Sequence, residues 1–326
     1  MARLHGSIIV TYRCNARCNM CEAWNHPTRL SEEVGIDVIK KLPDMFFCNV
    51  TGGEPFVRED LPEIIEVLRK KSRRVVISTN GCFTDRIIAL SKKYPDIGVR
   101  ISIEGLPKTN DSIRGIPGGF DNVLDTLLGL LAMGRKDIGF GMTVQDLNCQ
   151  DIVPLYYLAK SFSVEFATAT VHNSFYFHKL DNRILDSERV CGEFKKLIRA
   201  MLGSERPKDW MRAYFNFGLA NYIRGNDRLL PCEMGRDGFF LDPWGDVLPC
   251  NGMDEKLSMG NLKEKSWDEI WESSRAKEAR RMVKDCAKNC WMIGSAAPAI
   301  WRNPLKPVLW ALKNKIGLAF GKDIEV

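Results

Sequence analysis

Short β-branched and apolar runs alternate with longer amphipathic stretches through the first two thirds of the 326-residue chain. The runs predict six strands, at residues 7–12, 46–51, 75–79, 99–103, 139–144 and 164–170. A helix-length stretch follows each run, and the one after the second run carries Leu61, Ile64 and Leu68 on one face. This alternation is typical of βα units and a parallel sheet. Six units are two short of a closed eightfold barrel, so we expect an α/β fold with a partial (β/α)6 TIM-like barrel over residues 1–225.

The pattern changes beyond residue 225. Turn-forming residues become frequent, including Pro231, Gly235, Pro243, Gly245 and Pro249, and they predict a hairpin with loops. Two helix-length stretches follow. We therefore expect a small C-terminal α+β domain over residues 226–295, and a basic amphipathic tail over residues 296–326.

Composition narrows the class of protein. With 45% hydrophobic and 27% charged residues, the chain has enough apolar material for a core, which excludes global disorder. Eleven cysteines, an odd number, fit reduced thiols better than a secreted disulfide framework. The sequence has no secretion signal and no run of 18 apolar residues, so we expect a cytoplasmic protein. A net charge of +6 is too small to indicate nucleic acid by itself.

Three cysteines follow the first predicted strand. Cys14, Cys18 and Cys21 are spaced C-x3-C-x2-C, and soft sulfur ligands select zinc, copper(I) or iron–sulfur clusters. A structural zinc site uses four protein ligands, whereas three cysteines on a four-iron cluster leave one iron open. The motif thus favours cluster ligation, with an incomplete zinc site or three unrelated buried thiols as alternatives.

Further motifs follow in register with the strands, and together they resemble the radical S-adenosylmethionine (radical SAM) superfamily. The matching positions are Gly52, Gly53, Glu54 and Pro55 after the second strand, Thr79 and Asn80 at the third, Ser102 and Glu104 at the fourth, and Arg114 beyond it. The resemblance implies a [4Fe-4S] cluster on the three cysteines, with S-adenosylmethionine chelating the open iron. It also implies that Glu54 accepts the methionine ammonium group and that Arg114 contacts the carboxylate.

The second domain contains four more cysteines, Cys232, Cys250, Cys286 and Cys290. Four thiolates complete a metal site, and their spacing alone fits zinc and a second cluster equally. The region resembles the twitch and SPASM extensions of radical SAM enzymes, and its four cysteines favour the twitch form, with one auxiliary [4Fe-4S] cluster. Of the other thiols, Cys82 and Cys149 lie just past strand ends and are candidate hydrogen-atom donors, although free cysteines are usually buried core residues.

The resemblance implies reductive cleavage of S-adenosylmethionine to a 5'-deoxyadenosyl radical, which abstracts a substrate hydrogen. The start of the chain before Cys14 leaves little room for a leader-recognition domain, which favours a small-molecule substrate such as a carbohydrate. An auxiliary cluster that takes the second electron implies a two-electron oxidation, and a cysteine that quenches the radical implies epimerisation. The alternatives are a peptide-modifying enzyme and a non-catalytic zinc-binding interaction scaffold. A nucleic-acid-modifying enzyme is disfavoured by the modest charge. A low-potential electron donor such as flavodoxin or ferredoxin is the expected partner.

The tail has a helical pattern of its own. Its apolar positions are Trp301, Leu305, Val308, Leu309, Leu312, Ile316 and Phe320, and its five basic residues exceed its two acidic ones. Such a helix either packs its apolar face against the barrel or a partner subunit, or makes peripheral contact with an anionic membrane.

Overall fold

The computed structural model describes residues 4–253 and 255–324. Six parallel strands follow one another in a single sheet, each paired with its neighbour in sequence. They are β1 (His5–Ile9), β2 (Phe47–Thr51), β3 (Val75–Thr79), β4 (Gly98–Ser102), β5 (Ile138–Val144) and β6 (Glu165–Thr170). All six predicted strands are therefore present, and the α/β partial-barrel fold is confirmed.

Helices cover the outside of this sheet because their apolar faces need a partner. They are α1 (Ile36–Ile39), α2 (Leu61–Lys71), α3 (Thr84–Lys93), α4 (Pro107–Arg114), α5 (Gly119–Ala132), α6 (Ile152–Ser161), α7 (Ser187–Leu202) and α8 (Pro207–Ile223). On α2, the side chains of Leu61, Ile64, Ile65 and Leu68 are buried, as the pattern predicts. The main core lies between the strands and this outer layer.

The C-terminal segment extends the same sheet. Strand β7 (Gly238–Leu241) lies parallel to β1, with His5 opposite Gly238, and β8 (Asp246–Leu248) and β9 (Gly260–Asn261) continue in antiparallel pairing. The sheet order is β6-β5-β4-β3-β2-β1-β7-β8-β9. The predicted hairpin is present, but it continues the sheet of the barrel through β7. Consequently, the loop after β1 and the C-terminal hairpin are direct neighbours.

Four helices complete the described chain: α9 (Trp267–Trp271), α10 (Ser274–Lys284), α11 (Ile293–Arg302) and α12 (Leu305–Ala319). Trp291, which precedes α11, is buried, and its indole N–H donates to the Phe215 carbonyl oxygen of α8 at 3.0 Å. This contact fixes the end of the second cysteine group against the barrel. No helix in the described ranges is long and apolar enough to cross a membrane.

Candidate functional site

The first cysteine group lies on the loop that follows β1. The Gly53 N–H donates to the Thr11 carbonyl oxygen at 2.7 Å, and the Glu54 N–H donates to the Arg13 carbonyl oxygen at 2.9 Å. On the other side, the Arg17 N–H donates to the Arg114 carbonyl oxygen at 3.0 Å. The loop is thus held between the segment after β2 and the end of α4, two places where the motifs predicted cofactor contacts.

The three thiols of this loop are partly buried and influence one another. Burial raises the pKa of Cys14 to about 12 and the pKa of Cys21 to about 11, and the charge of Cys18 adds to both shifts. Burial also raises the pKa of Cys18, whereas the positive charge of Arg114 lowers it. Without a metal these cysteines remain protonated thiols at neutral pH. A cation that binds all three must therefore displace their protons, as metal ligation by cysteine requires.

The two glycines after β2 have no room for a side chain, because the backbone of the cysteine loop lies against them. A Cβ atom on Gly53 would stand 2.4 Å from the Arg13 carbonyl oxygen, and one on Gly52 would stand 2.5 Å from the Thr11 carbonyl oxygen. Both contacts are far inside van der Waals distance. The close approach that glycine permits here joins this segment to the cysteine loop. Pro55 is buried and begins the short helical turn that follows.

Glu54 is fully buried and is held by the end of β3. Its carboxylate accepts hydrogen bonds from the Asn80 N–H at 2.6 Å, the Thr79 hydroxyl at 2.8 Å and the Phe56 N–H at 3.1 Å. Burial raises the pKa of Glu54, while these three donors lower it. Thr79 and Asn80 therefore contact Glu54 directly. A carboxylate has about four acceptor positions, so one remains for a ligand ammonium group.

Asn15 also contributes to this site, and no sequence motif identified it. The Asn80 amide donates to the Asn15 side-chain oxygen at 2.6 Å, which ties the end of β3 to the cysteine loop. The only sequence signal was its position between the first two cysteines.

Ser102 lies half-buried at the end of β4, where it pairs in register with Gly141 of β5.

Arg114 and Glu104 form a buried ion pair with a nitrogen–oxygen distance of 3.1 Å. Burial raises the pKa of Glu104 to about 7, although Arg114 opposes the shift. Burial lowers the pKa of Arg114, but the Glu104 carboxylate and the thiolate forms of Cys18 and Cys14 outweigh it and leave that pKa raised. The Nε atom of Arg114 is buried and has no hydrogen-bond partner within the described chain. Because buried donors are nearly always paired, this atom marks a place for an acceptor from a ligand.

An aromatic group on the segment after β6 packs against the cysteine loop. The Tyr176 hydroxyl donates to the Gly52 carbonyl oxygen at 2.6 Å, and its ring centroid lies 5.7 Å from that of Tyr12. The apolar cluster built around these tyrosines includes Cys21 of the first group and Cys232 and Cys250 of the second. The two cysteine groups are thus joined by one patch of buried aromatic and sulfur atoms, which motif analysis did not predict.

The second cysteine group forms around the C-terminal hairpin and the end of α10. Cys232 and Cys250 pack against the same apolar cluster. Burial raises the pKa of Cys250 to about 12, and the thiolate charges of Cys290, Cys232 and Cys286 add to the shift. The Gly252 N–H lies 3.2 Å from the Cys250 sulfur. The Arg228 guanidinium lies 4.0 Å from the Cys290 sulfur.

The donor sets in both groups fit iron–sulfur clusters, with three thiols in one and four in the other. Within the described ranges, no three His, Cys, Asp or Glu side chains form a group that could hold a single metal ion. In a four-iron cluster each thiolate binds a different iron. The thiols are therefore farther apart than the ligands of a single metal ion.

The two candidate hydrogen-atom donors lie in different surroundings. Cys82 is half-buried beyond β3, and the charges of Arg114 and Glu54 influence its pKa, which burial raises. Cys149 is fully buried, and the charges that influence its pKa belong to Arg189, Glu193 and Asp146. The Cys149 thiol is therefore a core side chain beside α7, and its role as a hydrogen-atom donor stays a prediction.

Comparisons with known proteins agree with this arrangement. The model of the radical SAM superfamily matches residues 8–156, and that of an iron–sulfur cluster-binding domain, SPASM, matches residues 232–291. Together the two matches cover more than half of the chain.

The relatives include Fe-coproporphyrin III synthase of Methanosarcina barkeri, which is 37% identical over 156 residues, covering 45% of this chain and 38% of that protein. The antilisterial bacteriocin subtilosin biosynthesis protein AlbA of Bacillus subtilis is 28% identical over 311 residues, covering 88% of this chain and 64% of AlbA. The chain thus spans less than two thirds of either protein. Among solved structures, native anSMEcpe with bound AdoMet and the Kp18Cys peptide has a TM-score of 0.66 at 15% identity, covering 98% of this chain and 99% of that one.

The matched ranges contain the motifs that the structure brings together. The first range holds the loop with Cys14, Cys18 and Cys21, and the second begins at Cys232 and includes Cys290. The cofactors that these domains imply are S-adenosylmethionine and [4Fe-4S] clusters. The chain therefore belongs to the radical SAM superfamily and carries a C-terminal SPASM-like iron–sulfur domain.

Proposed function

We propose that this radical SAM enzyme modifies a peptide, and that its S-adenosylmethionine cluster is held by Cys14, Cys18 and Cys21. The observation that carries the site assignment is the convergence of this loop with Glu54 and with the unpartnered Nε of Arg114. When bound, the cluster and its cofactor supply a 5'-deoxyadenosyl radical, which acid–base side chains alone do not generate.

The surrounding residues position the cofactor in this proposal. Glu54, fixed by Thr79 and Asn80, accepts the methionine ammonium group, and Arg114 donates from Nε to the carboxylate while Glu104 holds its other end. Each contact pairs a buried charge with its opposite, which is how proteins stabilise charges away from water. Ser102 completes the cofactor-binding edge of the sheet.

The second cysteine group binds one auxiliary [4Fe-4S] cluster in this proposal, with Cys232, Cys250, Cys286 and Cys290 as its ligands. We assign the barrel to residues 1–225, the auxiliary domain to 226–295 and the tail to 296–326. Full ligation by protein would leave no open iron for substrate, so the auxiliary cluster would be suited to accept the one electron that a substrate radical loses when it is oxidised. A low-potential protein such as a ferredoxin or flavodoxin supplies the first electron.

The peptide substrate is supported by the relatives. AlbA matches 88% of this chain and acts in the biosynthesis of a bacteriocin, a class of peptide product. The carbohydrate that the sequence favoured has no comparable support. A porphyrin is the second candidate, since Fe-coproporphyrin III synthase is 37% identical over 156 residues of this chain.

The experiment is a deuterium-transfer assay under anaerobic conditions. The reduced, reconstituted protein is mixed with S-adenosylmethionine and one candidate substrate at a time: a deuterated synthetic peptide, a deuterated sugar or iron-coproporphyrin. The deuterium content of the 5'-deoxyadenosine formed is then measured by mass spectrometry. Deuterium transferred from a peptide supports the proposal. Transfer from a sugar with none from any peptide contradicts the substrate class, and a Cys286→Ser variant then shows whether turnover needs the auxiliary site.

A further inference from the structure

Helix α12 buries one face and leaves an apolar face in solvent. Pro307 and Ala311 are buried, and Trp310 stacks on Phe217 of α8 with ring centroids 4.9 Å apart. Lys315 donates to the carbonyl oxygen of Leu202 at 2.8 Å. These contacts dock the helix on α7 and α8 from Pro307 to Lys315.

The opposite face carries the apolar positions that the sequence pattern singled out. On α12 these are Leu305, Val308, Leu309, Leu312 and Ile316, between 41% and 74% exposed. Trp301 on α11 and Phe320 just after α12 are also exposed, at 53% and 79%. Those on α12 recur every three or four residues, which places them in one stripe. The stripe itself is therefore not packed against the barrel, and a partner subunit or an anionic membrane stays as its predicted partner. A solvent-facing apolar patch of this length marks an interaction surface.

The positive charge around the stripe indicates which kind of partner it binds. Residues 286–322 contain six basic residues and no aspartate or glutamate. Lys313 lies exposed along one border of the stripe, and Lys322 is exposed just beyond the helix. Lys306 and Lys315 instead donate to the backbone carbonyl oxygens of Leu229 and Leu202. An apolar stripe bordered by lysines fits an interface between acyl chains and anionic headgroups, because the long lysine side chains reach the headgroups while the stripe enters the acyl region.

We propose that α12 docks this protein on an anionic membrane surface. The helix of 15 residues is about 22 Å long at 1.5 Å per residue, and it lies flat on the bilayer without crossing it. Because its other face is fixed to α7 and α8, docking orients the whole barrel relative to the membrane. This surface is separate from both cysteine groups, so the proposal does not depend on the assigned chemistry.

Vesicle flotation with the full, cofactor-loaded protein tests this proposal. The vesicles contain phosphatidylcholine alone or with phosphatidylglycerol, at low and high salt. We expect flotation with the anionic vesicles only, lost at high salt. The double variant Lys313→Gln, Lys322→Gln should bind about 25-fold more weakly, from about fivefold per lysine. Leu309→Gln with Ile316→Gln should abolish binding, whereas Leu128→Gln, at an exposed leucine of α5, should not change it.

Three results would overturn the proposal. The first is no flotation of the wild-type protein with anionic vesicles. The second is equal flotation with neutral and anionic vesicles, and the third is unchanged binding in the Leu309 and Ile316 variant. Light scattering on the same samples identifies a competing occupant. A dimer that this variant converts to a monomer, without vesicle binding, would assign the stripe to a second copy of the chain.

Discussion

Gly53 joins the cysteine loop to the segment after β2, and Gly53→Ala should separate them. The added methyl group would stand 2.4 Å from the Arg13 carbonyl oxygen and 2.7 Å from that of Tyr12. Both atoms belong to the backbone and cannot rotate away. The loop that carries Cys14 must therefore move as a unit.

The loss of stability in Gly53→Ala follows from the contacts that the substitution breaks. Separation breaks the hydrogen bonds from the Gly53 N–H to Thr11 and from the Glu54 N–H to Arg13. Two such bonds contribute about 1–3 kcal/mol, and overpacking adds about 1–3 kcal/mol. We expect the free energy of unfolding to fall by about 2–6 kcal/mol, measured by urea denaturation under anaerobic conditions.

Iron analysis separates a local effect from a global one. Two four-iron clusters give about eight irons per chain, and the variant should retain about four, because the second cysteine group lies around the C-terminal hairpin and the end of α10. The matched control is Gly192→Ala on α7, where a Cβ meets nothing within 4 Å. That change should stabilise the helix by about 0.5–1 kcal/mol and leave iron content unchanged. A Gly53→Ala protein with full iron and normal stability would show that this close approach does not hold the cysteine loop in place.

Three further changes test other contacts. Arg114→Gln should weaken S-adenosylmethionine binding by about 10- to 100-fold in equilibrium dialysis, because it removes a charged hydrogen bond, while Lys108→Gln on the same helix should have no effect. Tyr176→Phe should lower the free energy of unfolding by about 1 kcal/mol through loss of the bond to Gly52, and an unchanged value would contradict that bond. Arg228→Met should lower the midpoint potential of the auxiliary cluster by about 50 mV in an EPR-monitored titration, because it removes a positive charge near the Cys290 sulfur.

The strands were predictable because their side chains follow a local rule. Strand β3 occupies residues 75–79 as predicted, since β-branched residues fill a buried parallel strand. Strand β1 ends at Ile9, three residues earlier than predicted. The β-like sequence pattern continues beyond Ile9, but the Thr11 carbonyl oxygen accepts a hydrogen bond from the Gly53 N–H. No local sequence pattern predicts that contact.

Contacts between remote segments were not predictable from the pattern. The pairing of β7 with β1 joins residues more than 230 positions apart, and Tyr176 reaches Gly52 from the segment after β6. In α12, both faces carry apolar side chains. Periodicity identified the stripe that contains Leu305 and Leu309, but it did not show that the face with Trp310 and Ala311 is the one that packs on the protein. Only the tertiary structure determines which of two apolar faces is buried.

The role of the first cysteine group is tested by measuring the 5'-deoxyadenosine that forms when the reduced, reconstituted protein is mixed with S-adenosylmethionine under anaerobic conditions. We predict that the wild-type protein forms it. Cys18→Ser should form none while keeping about four irons in the auxiliary site. Undiminished formation by Cys18→Ser, or none from a wild-type protein that carries its full iron, would contradict the assignment of Cys14, Cys18 and Cys21 as the ligands of the S-adenosylmethionine cluster.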